Sequence, residues 1–202
     1  MHVISKFILA STAEHRKKIL ATTGLKFSVA IPGDEIEITT ENPVARAKER
    51  SIFKALSVSK QVAESVVLGA DQVLECDGEI FSKPDCVATA RRQLQFLSGK
   101  THILHSGWAL CAGDKALQAG VTACVIEFRT LKSEEIESYL KTSEWRNSCG
   151  SYKYEGAGVN LMKSVKGEYA AIVGLPLTEI LHALRELNIN PLLQPHPPWY
   201  LV

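Results

Sequence analysis

The sequence predicts an α/β fold in which a mixed β-sheet is flanked by helices. Two observations carry this expectation. Apolar, strand-like runs alternate along the chain with segments of helical period. Two pairs of neighbouring strands are joined by short turn signals, Cys76-Asp77-Gly78-Glu79 and Ala112-Gly113-Asp114. Tight turns join antiparallel strands, so the sheet cannot be all parallel. The 202 residues suffice for one large domain or two closely joined lobes, and no repeat, low-complexity tract or linker divides them.

Lys6 to Ala10 reads as a first strand, apolar enough to lie inside a sheet. Ser11-Thr12 then opens a helix to about Thr23, with Ser11 and Glu14 at capping-box spacing and Gly24 as the stop. Arg16 precedes Ile19 and Leu20 by three and four residues, which puts it on the inward face of that helix. A cation there, at the first turn, points to an anion site; an Arg reaching for a surface Glu is the other reading. Neither G-x-G-x-x-G nor G-x-x-x-x-G-K-[ST] occurs, so Rossmann and P-loop readings lack support. After a short strand near Phe27 to Ala30, the loop Pro32-Gly33-Asp34-Glu35 carries two adjacent acids. Asn42-Pro43 starts a helix running to about Ser59, and Lys54 shares a face with Ala47, Ser51 and Val58. Such a cation buries its stem and presents its ammonium to a cleft.

Val66 to Leu74 is the stretch around which the chain is organised. It places one carboxylate, Asp71, between two apolar runs. That is costly unless the group is hydrogen-bonded, paired or metal-bound, although an ordinary turn Asp is an equal reading of this stretch alone. The return strand from Glu79 to Ser82 ends at Lys83-Pro84, so the hairpin is expected to bring Lys83 beside Asp71.

Pro84-Asp85 begins a helix with Val87, Ala90, Leu94 and Leu97 on one stripe. Two long strands follow, His102 to Cys111 and Ala116 to Phe128, then a helix capped by Ser133 with Ile136, Tyr139 and Leu140 inward. Cys149 to Gly158 is rich in glycine and has two tyrosines, the composition of a binding loop with stacking surfaces or of plain turns. Ile172-Val173-Gly174 reads as a short strand. A last helix has Ile180, Leu181, Leu184 and Leu187 inward. The tail from Pro191 holds four prolines with Trp199 and Tyr200, and is expected to dock on the body or on a second copy, a homodimer. One body to residue 192 and a Pro-rich tail over 193–202 is the expected division.

A net charge of +1 draws the chain neither to nucleic acid nor to membrane, so a polyanion must be met by local cations. Five scattered cysteines without a CxxC pair point to reduced thiols and a cytoplasmic setting. No run has the length of a signal-peptide core or a membrane span.

Leu9-Ala10-Ser11 with Arg16, Lys54-Ala55, Gly69-Ala70-Asp71-Gln72-Val73, Lys83-Pro84, Leu97 to His102 and Val173 to Leu177 come in an order and spacing that resemble the Maf family. These are septum-formation-type nucleoside triphosphate pyrophosphatases, related in fold to the inosine triphosphatase group. The resemblance runs from Phe7 to about Leu192. It implies an elongated mixed sheet, two lobes around a cleft, and hydrolysis of a nucleoside triphosphate to the monophosphate and pyrophosphate. A divalent metal, Mg²⁺ or Mn²⁺, is implied as well. On the matching positions, Asp71 takes the place of the proton acceptor. Ser11, Arg16, Lys54 and Lys83 take those of the phosphate cleft, and Glu35 that of the early-loop acid, which with Asp71 would hold the metal. Chemically, three cations and a metal suit a triphosphate, and a carboxylate suits the activation of water.

Two departures bear on the substrate. The family's Ser-Pro-Arg-Arg is replaced here by a run ending Ala13-Glu14-His15-Arg16. Where the dTTP/UTP branch tends to have Arg, Thr and Gln, this chain has His15, Gln72 and Glu155. Asp71-Gln72 and Ser151 to Gly156 look more like the branch acting on 7-methyl-GTP, whose base offers N–H groups to a carboxylate and a cationic ring to an aromatic. His15 is not expected in that branch. The alternatives are a dTTP/UTP-preferring enzyme, a phosphatase releasing orthophosphate, and a nucleotide-binding regulator of cell division without turnover.

Overall fold

The computed structural model describes residues 6–33, 38, 40–62 and 64–193. Seven strands form one sheet: β1 (Lys6–Ala10), β2 (Ser28–Ala30), β3 (Ser65–Cys76), β4 (Glu79–Phe81), β5 (Thr101–Ala112), β6 (Lys115–Phe128) and β7 (Met162–Lys166). The spatial order is β2-β1-β3-β5-β6-β7, with β4 paired to the end of β3. β1 runs parallel to β2 and β3, and every other pairing is antiparallel. The mixed α/β expectation is borne out. Asp77 and Gly78 both have positive φ, 53° and 82°, as a two-residue primed turn requires.

Alternation along β1 and β3 decides what each face holds. Leu9, Leu68 and Ala70 turn toward α1 (Glu14–Ala21) and α6 (Leu177–Glu186), where they pack with Leu20, Ile180 and Leu184. Ile8, Ala10 and Val67 turn the other way, onto Ala55 and Val58 of α2 (Pro43–Ser59). Asp71 is in phase with Val67 and therefore faces α2; Gln72 is in phase with Leu68 and faces the opposite side. A separate core lies beyond, where Leu74, Leu104, Ile126 and Phe128 meet α3 (Val87–Leu97) and α4 (Ser133–Leu140). The cores make two lobes, and Asp71 sits on the strand that joins them.

α2 lies unusually close to the sheet. A Cβ on Gly69 would stand 2.2 Å from the Ser51 carbonyl oxygen, and one on Gly107 would stand 2.3 Å from that of Ala47. Asn42 caps the helix, its side chain accepting from the Ala45 N–H at 2.9 Å, with Pro43 behind it as expected.

The structure differs from the sequence reading at several ends. α1 starts at Glu14, not Ser11, because Ser11 Oγ accepts from the Ala13 N–H (3.1 Å) and forms a turn before the helix. α3 starts at Val87, which is 43% exposed and off the stripe. At α4 the cap is Lys132, whose backbone N–H donates to Glu135. Ile172-Val173-Gly174 is no strand: α5 (Tyr169–Ile172) ends there, and Gly174 turns the chain at φ 93°. β7, only five residues long, was missed. Pro191–Leu193 form a 3₁₀ turn, while Trp199 and Tyr200 lie outside the described residues. All five cysteines are free. Among the described residues no helix is long and apolar enough to cross a membrane.

His102 is buried in the second core. Its Nε2 shares a 2.8 Å hydrogen bond with the Tyr152 hydroxyl, and its ring stands edge-on to Phe128. Burial pulls its pKa from 6.5 to about 4. The folded state therefore keeps it neutral while the unfolded chain takes up a proton below pH 6.5. The stability it contributes is full above pH 6.5 and is lost as pH falls toward 4. Replacing His102 by Gln is expected to flatten the Tm-against-pH profile in that window. An unchanged slope would contradict the assignment.

Candidate active site

Asp71 and Lys54 are brought together by β3 and α2. Lys54 Nζ donates to Asp71 Oδ1 at 2.5 Å, with both side chains only 9% exposed. Arg50, one helical turn before Lys54, places Nη1 3.8 Å from Oδ2. Oδ2 itself accepts no hydrogen bond among the described residues. A carboxylate taken so far out of water requires such partners, and removing one of them leaves the other charge buried. Gly69 and Gly107 make this meeting possible by admitting the α2 backbone.

Asp71 and Lys83 share one cleft as expected, but no strand register pairs them and no ion pair between them is found among the described residues. The β3–β4 ladder runs only from Cys76↔Glu79 to Leu74↔Phe81, because β4 is three residues long and Pro84 follows. The Asp71 carboxylate is met by Lys54 and Arg50.

That cleft is partly open to solvent. His15, Arg16, Lys54, Asp71, Gln72 and Lys83 line one part of it, and Tyr152, Lys153, Tyr154 and Glu155 another. Arg16 is aimed by the turn after α5: its Nε donates to the Gly174 carbonyl at 3.0 Å. A Cβ at Gly174 would stand 3.2 Å from Arg16 Nη2, in a backbone region that glycine favours. His15 is held down to a pKa of about 4, first by burial, then by Arg16, Lys153 and Lys83. It is a neutral ring among cations, so an entering anion raises its proton affinity.

Gln72 does structural work with its amide nitrogen. Nε2 donates to the carbonyls of Ile172 (2.9 Å) and Ala171 (3.1 Å) and to Ser106 Oγ (2.9 Å). Its donors are committed, so only its carbonyl oxygen is left to address a ligand. The loop carrying Glu155 is pinned from behind. The Lys153 N–H donates to the Tyr139 hydroxyl and the Ala157 N–H to Glu144, both at 3.1 Å. Glu155 is left exposed at the cleft, with no hydrogen bond or ion pair among the described residues.

Ser11 is buried against the Ala13 N–H and is not among the side chains lining the cleft. Glu35 falls in 34–37, outside the described residues. Among the described residues no three His, Cys, Asp or Glu side chains gather as a metal site. Sequence reasoning missed Arg46, Arg50, Lys153 and the Ser106 buttress. Arg50 had a signal, since it stands four residues before Lys54 on one helix face.

The family model described as Maf-like protein matches residues 6–187. The chain belongs to the Maf family. Among its relatives, a 7-methyl-GTP pyrophosphatase of Bordetella avium is 37% identical over 96% of this chain and 100% of its own length. A dTTP/UTP pyrophosphatase of Moorella thermoacetica is 36% identical over 93% of this chain and 97% of its own. A solved HAM1 protein from Coxiella burnetii aligns with TM-score 0.49 and 18% identity, over 90% of this chain and 98% of that one.

Proposed function

We propose that this Maf-family enzyme, a nucleoside triphosphate pyrophosphatase, acts on a nucleotide with a 7-methylguanine-type base and splits it between the α- and β-phosphates. The observation that carries the reading is the Asp71–Lys54 pair, nearly closed to solvent, at the wall of a cleft that also holds Arg16, Lys83 and two tyrosines. Entering phosphate draws Lys54 Nζ onto its oxygens and frees Asp71 Oδ1 to take a proton from water. The water oxygen bonds to the α-phosphorus. The bond to the α–β bridging oxygen breaks, and pyrophosphate leaves with that electron pair. Arg16 and Lys83 meet the negative charge where it builds.

A divalent cation, Mg²⁺ or Mn²⁺, fits Asp71 Oδ2, a hard anionic oxygen without a hydrogen bond among the described residues. Phosphate oxygens and water would complete its shell, and Glu35 is the second carboxylate proposed. When bound, the cation neutralises phosphate charge.

Glu155 supports the base assignment, because a free carboxylate accepts from the N1–H and amino groups of guanine. Gln72 Oε1 adds a second acceptor, and Tyr154 a face for the cationic ring. The test is a panel of 7-methyl-GTP, GTP, dTTP and UTP with Mg²⁺, read for pyrophosphate and orthophosphate separately. Pyrophosphate released fastest from 7-methyl-GTP is the expected result. Orthophosphate would indicate a phosphatase, and no release from any nucleotide a binding regulator. Glu155→Gln is expected to move the kcat/KM ratio of 7-methyl-GTP over UTP down by about 10-fold. An unchanged ratio would count against Glu155 as the base selector.

A further inference from the structure

The cleft continues past Asp71. A second compartment of about 290 Å³ shares Asp71, Gln72, Lys83 and Cys149 with the first. Its chemistry is different. The first compartment carries Tyr152, Tyr154 and Glu155, the groups suited to a base, beside Arg16, Lys54 and Lys153; the second has no aromatic but Phe81 and no carboxylate but the shared Asp71 among its described lining residues. The second carries Arg46 and Arg50, with Ser82 and Lys83 facing the same space and Val73 and Phe81 as walls. Three cations converge there, with Asp71 at the shared boundary.

The arginines are built in. Both are half-buried on one face of α2, one turn apart. Arg46 is anchored through Nε to the Thr40 carbonyl at 2.9 Å. Arg50 lies 3.8 Å from Asp71, and its buried Nε has no hydrogen-bond partner among the described residues. Side chains at this spacing start about 5–6 Å apart, so they address neighbouring anionic groups rather than one. Guanidinium forks bind phosphoryl oxygens in pairs.

We propose that this second compartment receives the pyrophosphate leaving group, with Arg46 and Arg50 taking its two phosphoryl groups and Lys83 standing at the end nearest Asp71. The assignment rests on the reading of the Asp71 cleft as the hydrolytic centre. It gives the reaction a direction: the nucleoside side stays with the tyrosines, the inorganic product moves under the arginines, and the bond broken lies between them at Asp71. Arg50 then has two successive partners, the carboxylate before the substrate enters and the departing phosphate afterwards.

The test is calorimetric titration of the full chain with inorganic pyrophosphate and, separately, with the nucleoside monophosphate product. Arg46→Gln is the informative variant because Arg46 makes no contact with Asp71; Arg50→Gln and the charge-keeping Arg46→Lys accompany it. Arg46→Gln is expected to weaken pyrophosphate binding by about 10-fold or more while moving monophosphate affinity less than about 2-fold. Arg46→Lys should recover part of the loss, which a merely misfolded variant would not. Equal losses for both products, unchanged pyrophosphate affinity, or no pyrophosphate binding by the wild type would overturn the proposal. Failure of the hydrolytic reading shows elsewhere, as absence of pyrophosphate release from any nucleotide, and leaves both affinities measurable.

Discussion

Asp71→Asn is expected to lower kcat by about 10²–10⁴-fold, the usual cost of losing a positioned base, while nucleotide binding is kept or tightened. The tightening follows from charge. Asp71 competes with the phosphates for Lys54 and Arg50, and its loss removes that competition. The same change costs stability, because Lys54, 7% exposed as a residue, loses a buried counter-charge. Breaking a buried pair in this way costs about 3–5 kcal/mol, the upper end applying where no solvent reaches the site. Bound nucleotide or pyrophosphate should restore part of the lost Tm by supplying the missing negative charge. Full activity in Asp71→Asn would remove Asp71 as the base. A parallel loss of binding and kcat would make it a ligand-holding group instead.

Gly69→Ala is the second large effect, and it tests packing as the cause of chemistry. Its Cβ would stand 2.2 Å from the Ser51 oxygen and 2.7 Å from the Ala55 nitrogen, both backbone atoms of α2. Helix backbone cannot yield as a side chain can, so α2 must lift from β3. Overpacking of this kind costs about 1–3 kcal/mol, and more where backbone meets backbone. Lifting α2 also carries Lys54 and Arg50 away from Asp71, so kcat/KM falls with Tm. Gly78→Ala is the control. It strains a residue at φ 82° but meets nothing within 4 Å, and it lies at the far end of the β3–β4 hairpin. It should lower Tm modestly and leave kcat/KM alone. If Gly69→Ala kept both values, the close seat of α2 would not be what assembles the site.

Much of this arrangement was legible in the sequence because period and turn chemistry are local. Val66 to Leu74 announces a buried strand, Asn42-Pro43 a helix start, and Asp77-Gly78 a hairpin, and each is found there. Asp71 stood out because an isolated carboxylate in an apolar strand needs a partner. Which partner it took was not legible. Hairpin logic pointed to Lys83, but alternation along β3 turns Asp71 toward α2, and that choice belongs to the sheet as a whole. Gln72 was read as a base selector. The carbonyls of Ala171 and Ile172 that occupy its amide arrive from 99 and 100 residues away, beyond the reach of any sequence window. Ile172-Val173-Gly174 was misread as a strand because so short an apolar run carries no period, and the helix Tyr169–Ile172 that ends there was missed.

Water is expected to add at the α-phosphorus, on the nucleoside side of the bond that breaks. This is tested most directly by running the reaction to completion in ¹⁸O-labelled water under single-turnover conditions and locating the label by mass spectrometry. The expected result is one ¹⁸O in the nucleoside monophosphate and none in the pyrophosphate. Label in the pyrophosphate, or in orthophosphate, would contradict it.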